Sequence, residues 1–390
     1  MQPTNKDNNI NALSIMHDWI QSIANDLALN LDSTLEIQPL MGDASIRKYY
    51  LLTNNHNAHN NYLNNTASNM QLISHKFIIM QTPNNKSLYN FIKIADFLTK
   101  LNLPINIPKI LAIKKYNSLR FLLLSHLGDQ LIFNHLDINN VELIYSLALK
   151  KLTDLQLNSI NIDLASMDRK YIKKNLNLFK NWYLKIHLKS SKVNNLNKLL
   201  TNLENYFVKV FTSQPQVFTH VDYHSKNLML EPNKQLTMEQ NLGILDFQDA
   251  MFGPITYDIA SLLQDAYIIW PEKLIEAIVF KHYDYLINQN NKFNLSNTLS
   301  NNLSKNLSKD QFLKYFYLTG LQRHIKNLGI FARLKYFYNK PNYIQYIQNL
   351  LHYINQTCNK YNDPELISLK NLLQNIDCSN YSNSIKEYQS

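Results

Sequence analysis

The chain has 390 residues, more than one compact core usually contains, so two lobes are expected. Its net charge is +10, but the lysines are scattered, with no basic run and no nucleic-acid-binding motif. No apolar run reaches the roughly 18 residues of a membrane-spanning helix. We therefore expect neither nucleic acid nor a membrane as a partner.

The cysteines and the N-terminus both favour the cytoplasm. The chain has 2 cysteines, Cys358 and Cys378, and they lie far from every motif, which predicts no disulfide framework and no metal site. The first residues, MQPTNKDNNI, are polar and lack the apolar core of a signal peptide. A location in a reducing cytoplasm is therefore expected.

The N-terminal third combines helical and strand patterns. Strands are predicted over residues 35–41, 76–80, 110–113 and 120–124. A helix is predicted over residues 87–101, and the asparagine-rich segment 54–72 is predicted to be a surface loop without function. A further helix with one apolar face is predicted from the spacing of Ile15, Trp19, Ile23 and Leu27.

A short loop of small residues, GDASIR at positions 42–47, follows the first predicted strand. The main-chain N–H groups from Gly42 to Ser45, with the guanidinium of Arg47 nearby, suit the oxygens of a phosphate group. An ordinary β-hairpin accounts for the same residues equally well. The loop by itself therefore leaves both interpretations open.

From residue 139 onward, helical patterns dominate. Apolar residues recur with a period near 3.6, which predicts the core helices of a large second lobe. The helical segments are 141–157, 170–188, 196–210 and 314–334. The low-complexity segment 294–309 repeats leucine every four residues. A loose partner-binding helix and compositional drift both fit that repeat, and drift is favoured.

The residues that carry chemistry are concentrated between residues 217 and 258. VFTHVDYHSKNLML places Asn227 five residues after Asp222, and an apolar run follows. A second apolar run, residues 242–245, leads to Asp246. We interpret this stretch as strand, loop, strand, turn and strand, with Asp246 directly after the last strand.

Phosphoryl transfer needs this set of groups. One carboxylate orients the attacking hydroxyl and accepts its proton, while an amide oxygen and a second carboxylate hold Mg²⁺ against the ATP phosphates. The spacing H-x-D-x-x-x-x-N is that of the protein-kinase catalytic loop. Asp222 is therefore predicted to be the base, and Asn227 and Asp246 the metal ligands. The alternative, turn residues and a strand cap, is disfavoured because a buried strand rarely ends in a carboxylate without a partner.

At these residues the chain resembles the aminoglycoside phosphotransferase and choline kinase superfamily. The words HVDYHSKNLML and ILDFQDAMFGPITYDIASL carry the resemblance. With the later GLQRHIKNLGIFARL, the chain looks most like the anomeric sugar kinases of cell-wall recycling. Those enzymes phosphorylate the C1 hydroxyl of N-acetylmuramate and N-acetylglucosamine. The resemblance thus implies a kinase of an amino sugar in peptidoglycan recycling, with ATP and Mg²⁺ as cofactors.

The resemblance also implies an α+β, bilobal, protein-kinase-like fold. A small N-lobe with an antiparallel sheet is expected over residues 1–125, and a mainly helical C-lobe over residues 126–390. ATP and Mg²⁺ are expected in the cleft between the lobes, with the loop at Gly42 over the phosphates. Main-chain groups of the hinge, at Ser125 and Leu127, are expected to bind adenine.

The strand over residues 76–80 departs from the kinase pattern. A protein kinase has a lysine on this strand that pairs with the ATP phosphates. The inward positions here are apolar. The residues that are candidates to replace that lysine are Arg47, Lys48, Lys76 and Lys86.

Three further positions are expected to contact the acceptor. Gln248 and Asp249 suit hydrogen bonds to sugar hydroxyls, and Arg323 suits a bidentate pair with a substrate carboxylate. Ordinary loop polarity and an internal ion pair are the alternatives. By the resemblance Asp258 braces the catalytic loop, and His220 is expected to support it as well.

Two other functions stay open. A kinase of aminoglycosides or of an amino alcohol such as choline carries the same motifs. Its cationic substrates favour an acidic lobe, however, and this chain is basic. A non-catalytic ATP-binding pseudokinase would explain the missing strand lysine, but the intact catalytic-loop pattern speaks against it.

Overall fold

The computed structural model describes most of the chain. The described residues are 5–24, 34–40, 47–55, 75–159, 162–190, 196–231, 236–293 and 307–375. The segments predicted as low in complexity lie almost entirely outside these ranges, as does Cys378. Two structural units are distinguished, which are Met1–Thr99 with Ile107–Gly128, and Lys100–Asn106 with Asp129–Ser390.

The described strands are β1 (Thr34–Leu40), β2 (Lys48–Asn55), β3 (His75–Pro83), β4 (Ile105–Asn106), β5 (Ile110–Tyr116), β6 (Leu119–Ser125), β7 (Gln216–Thr219), β8 (Leu228–Leu230), β9 (Leu242–Ile244) and β10 (Met251–Pro254). The described α-helices are α1 (Asn5–Ile23), α2 (Lys86–Lys100), α3 (Val141–Asn158), α4 (Arg169–Leu178), α5 (Asn197–Thr212), α6 (Tyr257–Leu263), α7 (Glu272–Phe293), α8 (Lys309–Tyr336), α9 (Ile347–Lys360) and α10 (Pro364–Asn375).

The first unit is built on a five-stranded antiparallel sheet. Its strand order is β1-β2-β3-β6-β5. Met16 and Ile20 of α1 are fully buried in one apolar cluster with Leu52, Ile79 and Phe121 of the sheet. The removal of this apolar surface from water holds the predicted N-terminal helix on the sheet.

The second unit is mainly helical, and its longest helix, α8, packs against α4, α5, α6, α7 and α9. Most of the side chains of α8 are buried. Two small sheets complete the unit. In one of them β9 pairs parallel with β4 and antiparallel with β8, and in the other β10 pairs antiparallel with β7.

The segment predicted as one helix over residues 170–188 has two parts. α4 ends at Leu178, and a π-helical segment, Phe179–His187, continues the chain. A Cβ at Gly329 of α8 would lie 2.6 Å from the carbonyl oxygen of Leu178 and from the nitrogen of Phe179. α8 therefore approaches the main chain at the point where the helix type changes. The apolar spacing of the segment fits both helix types, so the sequence could not separate them.

None of the helices that the structure describes is both long enough and apolar enough to cross a bilayer.

Candidate active site

The predicted order of elements is present between residues 217 and 258. β7 ends at Thr219, and a short 3₁₀ turn, Ser225–Asn227, leads into β8. β9 ends at Ile244, two residues before Asp246. All of these residues belong to the second unit.

Both polar main-chain atoms of Leu245 are held by the catalytic loop. Its N–H donates to the carbonyl oxygen of Asn227 at 2.9 Å, and its carbonyl oxygen lies 2.8 Å from Nε2 of His220. Burial lowers the pKa of His220 to about 4, so the ring is neutral at pH 7 and Nε2 carries the proton donated to this carbonyl. Because Asp246 directly follows Leu245, these two bonds bring Asp246 close to Asn227.

The amide of Asn227 is oriented by its own loop. Its Nδ2 donates to the main-chain oxygen of Asp222 at 3.0 Å, which leaves the amide oxygen as the atom able to ligate a cation. Asp246 is exposed and has φ of +63°, a left-handed conformation uncommon outside glycine and asparagine or aspartate residues. An amide oxygen next to a carboxylate suits Mg²⁺, which prefers oxygen ligands.

Asp222 is partly buried and lies among cationic and imidazole groups. Burial by itself would raise its pKa, but Lys326, His224, Arg323 and His220 outweigh that effect and hold the pKa of Asp222 below its usual value. The carboxylate is therefore ionised at neutral pH. An ionised carboxylate accepts hydrogen bonds only, which is what the orientation of an attacking hydroxyl requires.

Asp258, in the first turn of α6, holds the chain just before Asp222. Its Oδ2 accepts from the N–H of His220 at 2.6 Å, and its Oδ1 accepts from the N–H of Val221 at 3.0 Å. Burial raises the pKa of Asp258 to about 7, although these two bonds and Arg323 favour the ionised form. The bidentate contact fixes the two residues that precede Asp222.

Asp265 holds the next part of the loop, and the sequence did not reveal it. Its Oδ2 accepts from the N–H and from Oγ of Ser225, at 3.1 and 2.5 Å, and its Oδ1 accepts from the N–H of Tyr267. Asp265 is almost fully buried. The signal that could have found it is its position in YDIASLLQDA, seven residues after Asp258 and just beyond the same short helix.

Two cations of α8 lie within electrostatic range of Asp222, and only one was predicted from the sequence. Nη2 of Arg323 donates to Oγ of Ser261 at 2.6 Å, and its guanidinium carbon lies 5.3 Å from the ring centroid of Tyr257. Nζ of Lys326, which the sequence did not single out, donates to the hydroxyl of Tyr257 at 3.1 Å. That hydroxyl also lies 2.6 Å from the hydroxyl of Tyr171.

The predicted acceptor contacts Gln248 and Asp249 lie in the short turn that follows Asp246. Gln248 is buried, and its Nε2 donates to Oδ1 of Asp246 at 3.2 Å. Asp249 is exposed. Both roles stay predictions.

The predicted nucleotide contacts belong to the first unit. Gly42 and Ser45 lie outside the described residues. Arg47 is buried, and its Nη2 donates to the carbonyl oxygen and to Oγ of Ser87, at 3.2 and 2.8 Å. This guanidinium also lies 5.4 Å from the ring centroid of Phe91. These contacts tie Arg47 to α2, and its proposed contact with phosphate stays a prediction.

The predicted hinge residues close the first unit. Ser125 pairs with Lys109 through its main-chain N–H and through Oγ, each at 2.9 Å. Leu127 is partly buried, and Gly128 after it has φ of +98°, a conformation that glycine adopts at little cost. Gly128 is the last residue of the first unit.

These features are typical of a phosphotransferase, and comparisons with known proteins agree with that class. The model of the phosphotransferase enzyme family matches residues 37–285, well over half of the chain. The chain belongs to this family and is a small-molecule kinase. The resemblance that the motifs indicated is thereby confirmed.

Its relatives are named more narrowly. The chain is 29% identical over 342 residues to the N-acetylmuramate/N-acetylglucosamine kinase of Pseudomonas aeruginosa, which covers 87% of this chain and 88% of that one. The enzyme of the same name from Neisseria meningitidis is 29% identical over 283 residues, 72% of this chain and 77% of that one.

Solved structures confirm the predicted fold class. A choline kinase from Cryptosporidium parvum superposes with a TM-score of 0.55 and 13% identity, covering 92% of this chain and 100% of that one. The GDP complex of an aminoglycoside 2′-phosphotransferase superposes with a TM-score of 0.52 and 13% identity, covering 87% of this chain and 96% of that one. The α+β, protein-kinase-like fold with its antiparallel N-terminal sheet is therefore correct.

Proposed function

We propose that the chain transfers the terminal phosphoryl group of ATP to the anomeric C1 hydroxyl of N-acetylmuramate, N-acetylglucosamine or both, in peptidoglycan recycling. The observation that carries the proposal is the pair of hydrogen bonds that hold Leu245 between Asn227 and His220. They support a single site that contains Asp222, Asn227 and Asp246. The identity of the acceptor is supported by the names of the relatives.

In this proposal Asp222 accepts a hydrogen bond, and then the proton, from the acceptor hydroxyl. Its lowered pKa keeps the carboxylate ionised, which favours orientation of the hydroxyl over early removal of its proton. That balance suits phosphoryl transfer, because catalysis there comes mainly from positioning and from neutralisation of charge.

Asn227 and Asp246 would hold Mg²⁺. The described residues contain no group of three or more His, Cys, Asp or Glu side chains placed to hold a metal ion. A magnesium–nucleotide site needs no such group, because phosphate oxygens and water complete the coordination shell. ATP supplies the phosphoryl group, and Mg²⁺ neutralises its charge. Gly42, Ser45 and Arg47 are proposed to contact the phosphates.

The charges around Asp222 favour a neutral or anionic acceptor. Arg323 and Lys326 are both buried, and both lower the pKa of Asp222, so both lie within electrostatic range of it. A cationic acceptor such as choline or an aminoglycoside would be brought toward like charges, which costs several kcal/mol at an interface that excludes water. Amino sugars with an acetylated nitrogen do not carry that charge.

The proposal is tested by ATP-dependent phosphate transfer to N-acetylmuramate, N-acetylglucosamine, choline and kanamycin. We expect turnover with one or both acetylated sugars, and a loss of on the order of 10²-fold or more in kcat for Asp222→Asn, with binding of Mg-ATP retained. Turnover with choline or kanamycin alone would contradict the acceptor. Binding of Mg-ATP without transfer to any of the four would favour a pseudokinase.

A further inference from the structure

Arg323 and Lys326 form a buried pair of cations on α8. They are three residues apart, so they project from the same side of the helix. Arg323 is 3% exposed and Lys326 is 6% exposed. Long cationic side chains are almost never buried to this degree unless a partner compensates their charge.

Within the part of the chain that the structure describes, neither cation has a charged partner in contact with it. Their side-chain hydrogen bonds go to the neutral hydroxyls of Ser261 and Tyr257. Nε of Arg323 is buried and has no hydrogen-bond partner. Among the described residues, no carboxylate forms an ion pair with either side chain; Asp222 acts on both, and Asp258 on Arg323, only through space.

This arrangement is costly without an anion in direct contact, because Asp222 acts on the two cations only through space. The burial of a charge is unfavourable unless an opposite charge and hydrogen bonds compensate it, and two like charges one turn apart repel each other as well. An anionic ligand group in contact with the two side chains would neutralise the pair. Arg and Lys together suit a carboxylate, because the guanidinium binds its two oxygens and the ammonium adds a point charge.

We propose that Arg323 and Lys326 form the subsite that binds the carboxylate of an acidic sugar acceptor, so that N-acetylmuramate is bound in preference to N-acetylglucosamine. The proposal rests on the proposed function, which places the acceptor hydroxyl at Asp222. N-acetylmuramate carries a lactyl carboxylate on the ring carbon two positions from C1, whereas N-acetylglucosamine has a hydroxyl there. The two sugars are otherwise alike, so this one group would decide between them.

The transferred phosphoryl group is the competing anion for this subsite. It would already be neutralised by the Mg²⁺ that Asn227 and Asp246 are proposed to hold. The carboxylate of the acceptor has no other cation proposed for it. We therefore favour the acceptor carboxylate as the ligand of the subsite. If the subsite bound the phosphoryl group instead, an uncharged acceptor would bind as tightly as the acid.

The test compares N-acetylmuramate with its methyl ester, which keeps the shape of the sugar and removes its charge. Isothermal titration calorimetry of the full chain with Mg-ADP present measures binding of each sugar. We expect the acid to bind at least about tenfold more tightly than the ester, as the loss of one member of a buried charge pair usually costs more than that factor. In Lys326→Met the acid should lose this advantage, and in Lys326→Arg it should keep most of it.

Lys335→Met is the matched control, because it removes the same charge from the last turn of the same helix. It should leave the preference for the acid unchanged. Equal binding of acid and ester by the wild-type chain would overturn the subsite, as would an equal loss of both sugars in Lys326→Met. Tighter binding of the acid without phosphate transfer would instead support the subsite and contradict the proposed function.

Discussion

Oδ1 of Asp258 accepts a 3.0 Å hydrogen bond from the N–H of Val221, a β-branched residue with φ of +80°. This conformation is strained for a β-branched side chain, at about 1–3 kcal/mol, and it persists only where the surroundings enforce it. The second oxygen of Asp258 enforces it further, through the N–H of His220 at 2.6 Å. The strain lies directly before Asp222, the proposed base.

The first prediction concerns Asp258→Asn. Two main-chain N–H groups need two acceptor oxygens, and an amide supplies only one, so one buried donor would face an NH₂ group. We expect kcat to fall about 10–100-fold, the usual effect of a residue that orients a ligating or reacting group. The free energy of unfolding should fall by about 1–3 kcal/mol.

Steady-state kinetics and urea denaturation measure both effects. Asp284→Asn is the control, because Asp284 is exposed and pairs with Lys309 on the surface. It should change neither quantity appreciably. Wild-type kcat in Asp258→Asn would show that the loop does not depend on this carboxylate.

The second prediction separates the two aspartates of the turn after β9. Asp246→Asn removes a proposed Mg²⁺ ligand, so we expect kcat to fall by roughly 10²-fold or more and the Mg²⁺ concentration for half-maximal rate to rise. Because Asp246 is exposed, the free energy of unfolding should stay within about 0.5 kcal/mol of the wild-type value. The dependence of the rate on Mg²⁺ concentration is the measurement.

Asp249→Asn provides the comparison, three residues further along the chain and also exposed. As a proposed sugar contact, it should raise the KM for the acceptor and leave the Mg²⁺ dependence as it was. The opposite pattern, with Asp249 and not Asp246 controlling the response to Mg²⁺, would refute the assignment of the metal ligand.

The third prediction uses two glycines of α8. A Cβ at Gly329 would overlap the main chain at Leu178 and Phe179, whereas a Cβ at Gly320 would meet the side-chain oxygen of Gln264. A side chain can move and a packed main chain cannot, so Gly329→Ala should cost about 1–3 kcal/mol of unfolding free energy. Both substitutions gain the same helix propensity, about 1 kcal/mol, so the difference between them comes from the steric overlap. Gly320→Ala should therefore cost clearly less unfolding free energy than Gly329→Ala.

Chemical denaturation of the two variants side by side gives this comparison. A smaller loss for Gly329→Ala than for Gly320→Ala would mean that α8 and the π-helical segment are not in the close contact described.

The fourth prediction is a loss of stability in mild acid. His282 of α7 is buried, its Nε2 has no hydrogen-bond partner, and burial lowers its pKa from 6.5 to about 4. Between those two pH values the unfolded chain binds a proton that the folded chain does not. The contribution of the neutral His282 ring to the free energy of unfolding is thus complete above pH 6.5. It is lost as the pH falls toward 4, at up to about 1.4 kcal/mol per pH unit.

His220 and His324, whose pKa values burial lowers to about 4 and about 3, act in the same direction. We expect His282→Leu to make the free energy of unfolding less dependent on pH between 6.5 and 4.5. His135→Leu, at an exposed position, is the control. An unchanged pH dependence in His282→Leu would contradict a buried neutral imidazole.

The sequence predicted the candidate site where its residues lie close together in the chain. Asp222, Asn227 and Asp246 fall within one strand–loop–strand stretch, and their spacing is set by local geometry. The helical period predicted part of the apolar face of α1 for the same reason: Trp19 is buried, and Ile15 and Ile23 pack against the same cluster. Leu27, the fourth residue of the predicted face, lies outside the described residues.

Features that depend on packing between distant elements could not be predicted. Lys326 reads in the sequence as one more polar residue of a long helix, and only the packing of α8 brings it within electrostatic range of Asp222. Asp265 supports the loop from 40 residues away. The contact of Arg47 with Ser87 of α2 could not be predicted either, and its contact with phosphate stays a prediction.

The most direct measurement is ³¹P NMR of the product formed from Mg-ATP and N-acetylmuramate or N-acetylglucosamine, with the wild-type chain and with Asp222→Asn. We predict a phosphate on C1, coupled to the anomeric proton, which forms with the wild-type chain and at least about 10²-fold more slowly with the variant. A phosphate on C6, or an unchanged rate in Asp222→Asn, would contradict it.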